Sequence, residues 1–402
     1  MQSQTIFRPI LKNTFVKAHF ILTAVLLYIL TCYYLYEPNI YGTILINLSL
    51  LPFMLALPFG NKKLSILYFF LMYVGISRYS LSNDPLQFPD SQMYFEELIT
   101  HGNYYDLITF FWNELCTGFQ IDTQNNLVFA LLYYPMFYFL HNNDPAFITT
   151  YNALLYIITG YLTYRLLKKH SVFTDKIINI ILLGLFGSAS LQYWSSFFLK
   201  DITSLFLIVL ALNLFMNKKF IWFLFVMFFA YSLRVYSPVI ILCHILLLKG
   251  YIRFSLLGAI FALVVEVYNV GLKGVINSLL NVGNMFSSPS PFNIENWKFQ
   301  GYRTFESLIF LIILLLVIVV FLLNKESRSF YLTAFSVIYI YSAVVTIAGF
   351  QNLEYLGLDY VIGNFGDDMT RKKISIIIII YIVFAYTFIQ LSDKKVINYN
   401  KM

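Results

Sequence analysis

The chain has 402 residues, 59% of them hydrophobic, 19% aromatic and only 12% charged, which is more apolar surface than one soluble core can hide. Its 27 Lys and Arg exceed its 20 Asp and Glu for a formal charge of +7. These bases sit mostly in short joints between apolar runs, where they set membrane topology and argue against a nucleic-acid surface. Three scattered cysteines, Cys32, Cys116 and Cys243, suggest packing residues and neither a disulfide framework nor a metal knuckle.

Apolar runs long enough to cross a ~30 Å hydrocarbon core recur along the whole chain. Without water to satisfy backbone groups such runs must be helices, and the alternation of a β-barrel strand is absent. The expected fold class is therefore all-α, a polytopic integral membrane protein with about 12 spans (roughly 10 to 13). Arg8, Lys12 and Lys17 lead into the first run with no small-residue cleavage site, so this run is expected to stay as an anchor. Spans are expected over 18–36, 43–59, 64–80, 146–166, 177–192, 201–216, 220–233, 237–248, 254–270, 304–323, 330–349 and 374–391. With both termini in the cytoplasm, the basic joints from Lys62 and Lys63 to Lys394 and Lys395 fall inside. The two short spans flanking Pro238 are open to a second reading as one helix, which would invert everything after them.

Residues 81–145 form the first expected outward loop. Between Tyr79 and Tyr164 there is no Lys or Arg, whereas Asp84, Asp90, Glu96, Glu97, Asp106, Glu114, Asp122 and Asp144 are acidic. Within it, the apolar piece 127–140 is too short to cross comfortably and reads as an interfacial or re-entrant helix, with an ordinary short span as the alternative. Residues 271–303 form the second expected outward loop. Nine bases defy the positive-inside tendency: Arg78, Lys200, Arg234, Lys273, Lys298, Arg303, Arg371, Lys372 and Lys373. A charge at mid-membrane costs roughly 2.5 to 3.5 kcal/mol, so idle placement of them all is not expected.

Four stretches can carry chemistry. In FPDSQMYFEEL, Pro89 suits the first turn of a helix, which puts Asp90, Tyr94 and Glu97 on one face. Such a face can take a proton from a sugar hydroxyl, although a solvated acidic loop explains it too. In LQYWSSFFLKDITSLFL, Lys200 and Asp201 stand at the mouth of a helix beside Tyr193 and Trp194. Lys200 can bind phosphate with Asp201 orienting it, or the two can neutralise each other or pair with other helices. In YSLRVYSP, Arg234 precedes Pro238, a residue that breaks helices and frees backbone to line a cavity, and its planar fork matches phosphate oxygens. In GNFGDDMTRKKISIIIIIY, Arg371, Lys372 and Lys373 precede the last span and can cradle a pyrophosphate or contact lipid head groups. Glu266 is a further buried acid, with Lys273 as its expected partner. The five histidines, including His101 and His141, lack metal-ligand spacing. No Walker A, GxGxxG, HExxH or GxSxG motif lies where its mechanism would work.

The order of these stretches, Asp-x-x-x-Tyr (Asp90, Tyr94), an interfacial helix, Trp-Ser…Lys-Asp (Trp194, Ser195, Lys200, Asp201) and Arg-x-Tyr (Arg234, Tyr236), resembles bacterial multi-spanning glycosyltransferases of the GT-C superfamily. It also resembles the Wzy-type polymerases of O-antigen and capsule repeat units. The resemblance implies a GT-C-like fold in the bacterial inner membrane and glycan transfer from a polyprenyl-linked oligosaccharide. It implies Asp90 as base, and Lys200, Arg234 and Arg371 as phosphate holders. Membrane lipid and other polysaccharide-assembly proteins are the implied partners, with no nucleic acid; no cofactor is implied, and a divalent metal stays open. The chain departs from the GT-C pattern in having no soluble domain after its last span, and from the polymerases in lacking two large, similar basic outward loops. A flippase for the same lipid-linked oligosaccharides is the alternative.

Overall fold

A computed structural model describes residues 83–100, 105, 106, 109, 113, 132, 133, 145–169, 173–364 and 369–392. Every regular element among them is helical. In chain order these are α1 (Pro89–Thr100), α2 (Pro145–Lys169), α3 (Asp175–Gly187), α4 (Ala189–Ser195), α5 (Lys200–Met216), α6 (Phe220–Leu233) and α7 (Ser237–Lys249). There follow α8 (Ile252–Val270), α9 (Leu272–Ser287), α10 (Ile294–Leu323), α11 (Arg328–Tyr355), α12 (Met369–Lys372) and α13 (Ile377–Ser392). The expected spans 18–36, 43–59 and 64–80 lie outside the described residues, as do Cys32, Cys116, His101, His141 and most of 127–140. From that last stretch Tyr133 is described: it is buried, and its hydroxyl bonds to Asn152 of α2 and Thr203 of α5.

Among the described residues, four helical stretches are long and apolar enough to cross a membrane: Ile252–Val270, Ile294–Leu323, Lys325–Tyr355 and Thr370–Leu391. The broken pair α3 and α4, bent by 45°, makes a fifth if it is one span. The expected boundaries agree closely for α2, α5, α6, α7 and α8, while α11 runs six residues past its expected end. The region around Pro238 is two helices. Pro238 does not break α7, because it lies in that helix's first turn where a missing N–H costs nothing; continued back into α6, its ring would meet the Arg234 carbonyl four residues earlier.

Residues 271–303, the second expected outward loop, contain α9 and the start of α10, which begins at Ile294 and kinks at Gln300 (φ −147°, ψ 41°). The first turns of α9 are built inside out, with Gly274, Asn277, Ser278 and Asn281 buried while Leu272, Ile276, Leu279 and Leu280 are exposed, and Met285 and Phe286 are buried only toward its end. One expectation needs correction. The expected span 177–192 is not one straight helix, since it breaks at Ser188, whose hydroxyl caps α4.

The most buried helices are α5, α11 and α13. The isoleucine run Ile377–Ile380 of α13 is buried throughout, while α6 and α8 turn Phe, Leu and Ile side chains outward. Small residues permit the close packing of helices. A Cβ on Gly160 of α2 would lie 2.3 Å from the Phe186 ring of α3, and one on Gly184 of α3 would lie 2.3 Å from the Tyr381 ring of α13.

Candidate functional site

Four chain segments meet at one end of the helices. α1 is anchored there by Phe88, whose ring lies 5.4 Å from Trp194 and 4.8 Å from Phe197, and by a backbone bond from Phe198 N–H to the Pro85 carbonyl at 3.1 Å. Ser91 accepts from the Phe88 N–H at 3.2 Å and fixes the first turn, which carries Asp90. α5 begins after Leu199 with Lys200 and Asp201 in its first turn, where the helix dipole favours a carboxylate. α6 ends at Arg234 in extended conformation, and Tyr236 precedes α7. Finally α12 hands over to a 3-10 turn at Lys373, which sends consecutive bases in different directions.

Asp201 is the hub. Its Oδ1 accepts from Arg234 Nη2, and its Oδ2 accepts from Arg371 Nε at 3.3 Å and Nη2 at 3.2 Å. Arg371 uses its remaining Nη1 to donate to Asp90 Oδ2 at 2.8 Å. Arg234 Nη1 donates to the Tyr236 hydroxyl, which also accepts from Lys372 Nζ at 3.1 Å. Lys200 Nζ stands 5.5 Å from the centre of the Tyr94 ring, and Arg371 lies over Trp194 at 5.7 Å. Exposure falls inward: the Asp90 side chain is 45% exposed, that of Arg371 18%, and those of Arg234 and Asp201 only 4% and 1%.

Four cations thus surround two carboxylates, an excess of positive charge suited to an anion. Arg234 Nε, although buried, bonds to no acceptor among the described residues. Lys200 stands just ahead of the expected span 201–216; burial, reinforced by the neighbouring Arg234 and Lys372 charges, lowers its pKa to about 7. Burial, with the nearby Asp90 carboxylate, pushes the Tyr94 phenol well above its ordinary value, so it stays neutral.

Of the residues picked out in the sequence, Asp90, Tyr94, Lys200, Asp201, Arg234, Tyr236, Arg371 and Lys372 come together here. Glu97 belongs to α1, but its side chain lies outside the described residues. Asp201 pairs with Arg234 and Arg371 from other segments, one of the readings its sequence position left open. Two expectations change. Lys373 leaves the basic trio: it is fully buried, donates to the Ser288 carbonyl at 2.6 Å and lies 3.6 Å from Glu306. Glu266 is bonded by Ser278 and Tyr339, whereas Lys273 is exposed.

The sequence reading missed Glu306, a buried carboxylate that accepts from the Ser188, Ser190 and Tyr381 hydroxyls and from Ser190 N–H at 3.0 Å. An acid inside an apolar run is itself the signal that was available. Tyr341 was missed too; its hydroxyl donates to the Lys372 carbonyl at 2.7 Å and its ring packs on Tyr236. Arg303, counted among the misplaced bases, has its guanidinium over Tyr193 at 4.3 Å and Trp194 at 5.0 Å. No family model, curated protein or solved structure matches the chain.

Proposed function

We propose that the protein transfers a glycan from a polyprenyl pyrophosphate or polyprenyl phosphate carrier to a sugar hydroxyl at the outer face of a bacterial inner membrane, polymerising O-antigen or capsule repeat units. The observation that carries this reading is the set of four cations around buried Asp201, with the more open Asp90 on its rim. The resemblance of the Asp90, Lys200 and Arg234 stretches to GT-C enzymes and Wzy-type polymerases supports it further. On this reading the chain crosses the membrane about twelve times. The apolar helices accept the polyprenyl tail, and other polysaccharide-assembly proteins are the partners.

The acceptor hydroxyl oxygen attacks the anomeric carbon as the bond from that carbon to the phosphate oxygen breaks. The bonding pair departs on the phosphate, and the hydroxyl proton passes to a carboxylate. Arg234, Arg371, Lys372 and Lys200 meet the charge that develops on the leaving group, the two guanidinium forks matching its oxygens. Asp90 is the base. A phosphate that takes over the Arg371 N–H now given to Asp90 frees that carboxylate as the donor arrives, which couples binding to base activation. Asp201 holds the two arginines apart at a fixed spacing, and Tyr94 donates a hydrogen bond from its neutral phenol.

The test is a deletion strain complemented with wild type, Asp90→Asn or Arg234→Ala, each shown to be inserted normally, with surface glycan run on a gel. The expected result is a ladder with wild type and a single lipid-linked repeat unit with either variant. Full-length glycan from both variants would sink the proposal. A flippase is separated by labelling single cysteines at 200, 234 and 371: labelling from the outside alone supports transfer, and labelling from both sides supports a passage.

A further inference from the structure

α8 and α9 turn apolar side chains outward and polar ones inward. The buried residues of α8 are Ser255 and Glu266, while Leu257, Ile260, Phe261 and Val264 are exposed. Glu266, with no exposed surface, meets the inward face of α9 and the side of α11. Its Oε1 accepts from Ser278 Oγ and its Oε2 from the Tyr339 hydroxyl at 3.0 Å. Ser278 Oγ also lies 2.9 Å from Thr346 Oγ1, which accepts from Asn281 Nδ2 at 2.9 Å. Ser278, Asn281 and Thr346 are buried to within 1%.

Two features of this cluster remain unexplained by packing. Glu266 forms no ion pair among the described residues, so a carboxylate shut away from water has only neutral hydroxyls around it. Asn281 Oδ1 is buried and accepts no hydrogen bond from any described residue. An uncommitted amide oxygen thus stands on the residue whose Nδ2 bonds Thr346, in a network that links a carboxylate and two hydroxyls from three different helices. Gly274 lets α9 approach the carboxylate closely, since a Cβ there would come within 3.2 Å of Glu266 Cγ and 2.8 Å of Val270 Cβ.

Hard oxygen donors select alkali and alkaline-earth ions over softer metals. One carboxylate neutralises one positive charge, so a divalent ion would leave a buried excess and a monovalent ion would leave none. A proton needs a single acceptor and makes no use of Asn281 Oδ1. We propose that Glu266, Ser278, Asn281 and Thr346 form a binding site for one sodium ion, which ties α8 and α9 to α11. The site is separate from the Asp201 cluster and is read without reference to glycan transfer.

The test measures thermal unfolding of the full-length protein in detergent, in sodium, potassium and choline chloride at equal ionic strength, together with binding of radioactive sodium. Sodium at 100 times its dissociation constant is expected to favour the folded state about 100-fold, raising the melting temperature saturably, while choline leaves it unchanged. Glu266→Gln and Thr346→Val are expected to lose that increment and to bind sodium at least tenfold more weakly. The second variant keeps its shape and stands in if the first fails to fold. Glu354→Gln, at the far end of α11, is expected to keep the sodium response. Equal melting temperatures for wild type in all three salts, a response to pH without one to sodium, or full sodium binding by Thr346→Val and Glu266→Gln would each overturn the site.

Discussion

Asp201 and Arg371 stand 170 residues apart in sequence, yet Arg371 Nε and Nη2 both reach the same Asp201 oxygen, at 3.3 and 3.2 Å. Through this pair the start of α5 is joined to the approach to α13, and Asp90 is joined to both by the third Arg371 nitrogen.

Asp201 and Asp90 are expected to separate stability from activity. Asp201→Asn leaves the buried Arg234 guanidinium and the half-buried Arg371 guanidinium facing a neutral amide, and breaking a buried pair costs about 3 to 5 kcal/mol. Asp90 is far more open, so Asp90→Asn is expected to change stability by less than about 1 kcal/mol. Melting temperatures and glycan ladders for both variants check this: Asp90→Asn should melt like wild type and form no ladder. An equally large fall in melting temperature for both would assign Asp90 a structural role.

Arg371→Lys is not a conservative change here. One guanidinium bonds two carboxylates from two segments at once, whereas an ammonium is a point charge without that planar fork. If this group also stabilises the departing phosphate, the rate of glycan formation is expected to fall about 100-fold or more. Rates near wild type with lysine would show that charge alone suffices.

Lys200 gives a pH signature. Its pKa of about 7 lies below the ordinary lysine value of 10.5, so between these pH values the unfolded chain holds the extra proton. Stability from this group therefore rises with pH across that window. An anion at the site favours the charged amine, so anion affinity should weaken as pH climbs through 7. Acylation of Lys200 followed by mass spectrometry should show a midpoint near 7 that moves upward when pyrophosphate is added. A midpoint near 10.5 contradicts the burial argument.

Packing supplies the last prediction. Gly160→Ala would force a methyl group to within 2.3 Å of the fully buried Phe186 ring, which has no room to swing away. Overpacking of this kind costs about 1 to 3 kcal/mol. Gly301→Ala, where a Cβ meets nothing within 4 Å, serves as the control. Equal melting temperatures for the two would mean that α2 and α3 shift apart freely.

Hydropathy alone found α2, α5, α6, α7, α8 and most of α11, because each is an apolar run of about the expected length. It gave no span at α9, whose first turns bury polar residues, and a window average cannot tell Asn277 and Ser278 turned inward from a polar loop. The break between α6 and α7 was legible as Pro238, whereas the one between α3 and α4 was not, since it rests on Ser188 serving as a cap.

The sequence by itself determined that the chain is helical, with runs long and apolar enough to cross a membrane, and which polar side chains are out of place in it, because a charge in an apolar run is costly wherever the chain folds. What only the tertiary structure decided is how those side chains pair. Arg371, Lys372 and Lys373 are indistinguishable as a basic run, yet the turn that carries them sends one to Asp201 and Asp90, one to Tyr236 and one to Glu306. Pairing depends on distances of a few ångströms between segments far apart in the chain, and those distances are set by helix packing that no local pattern encodes.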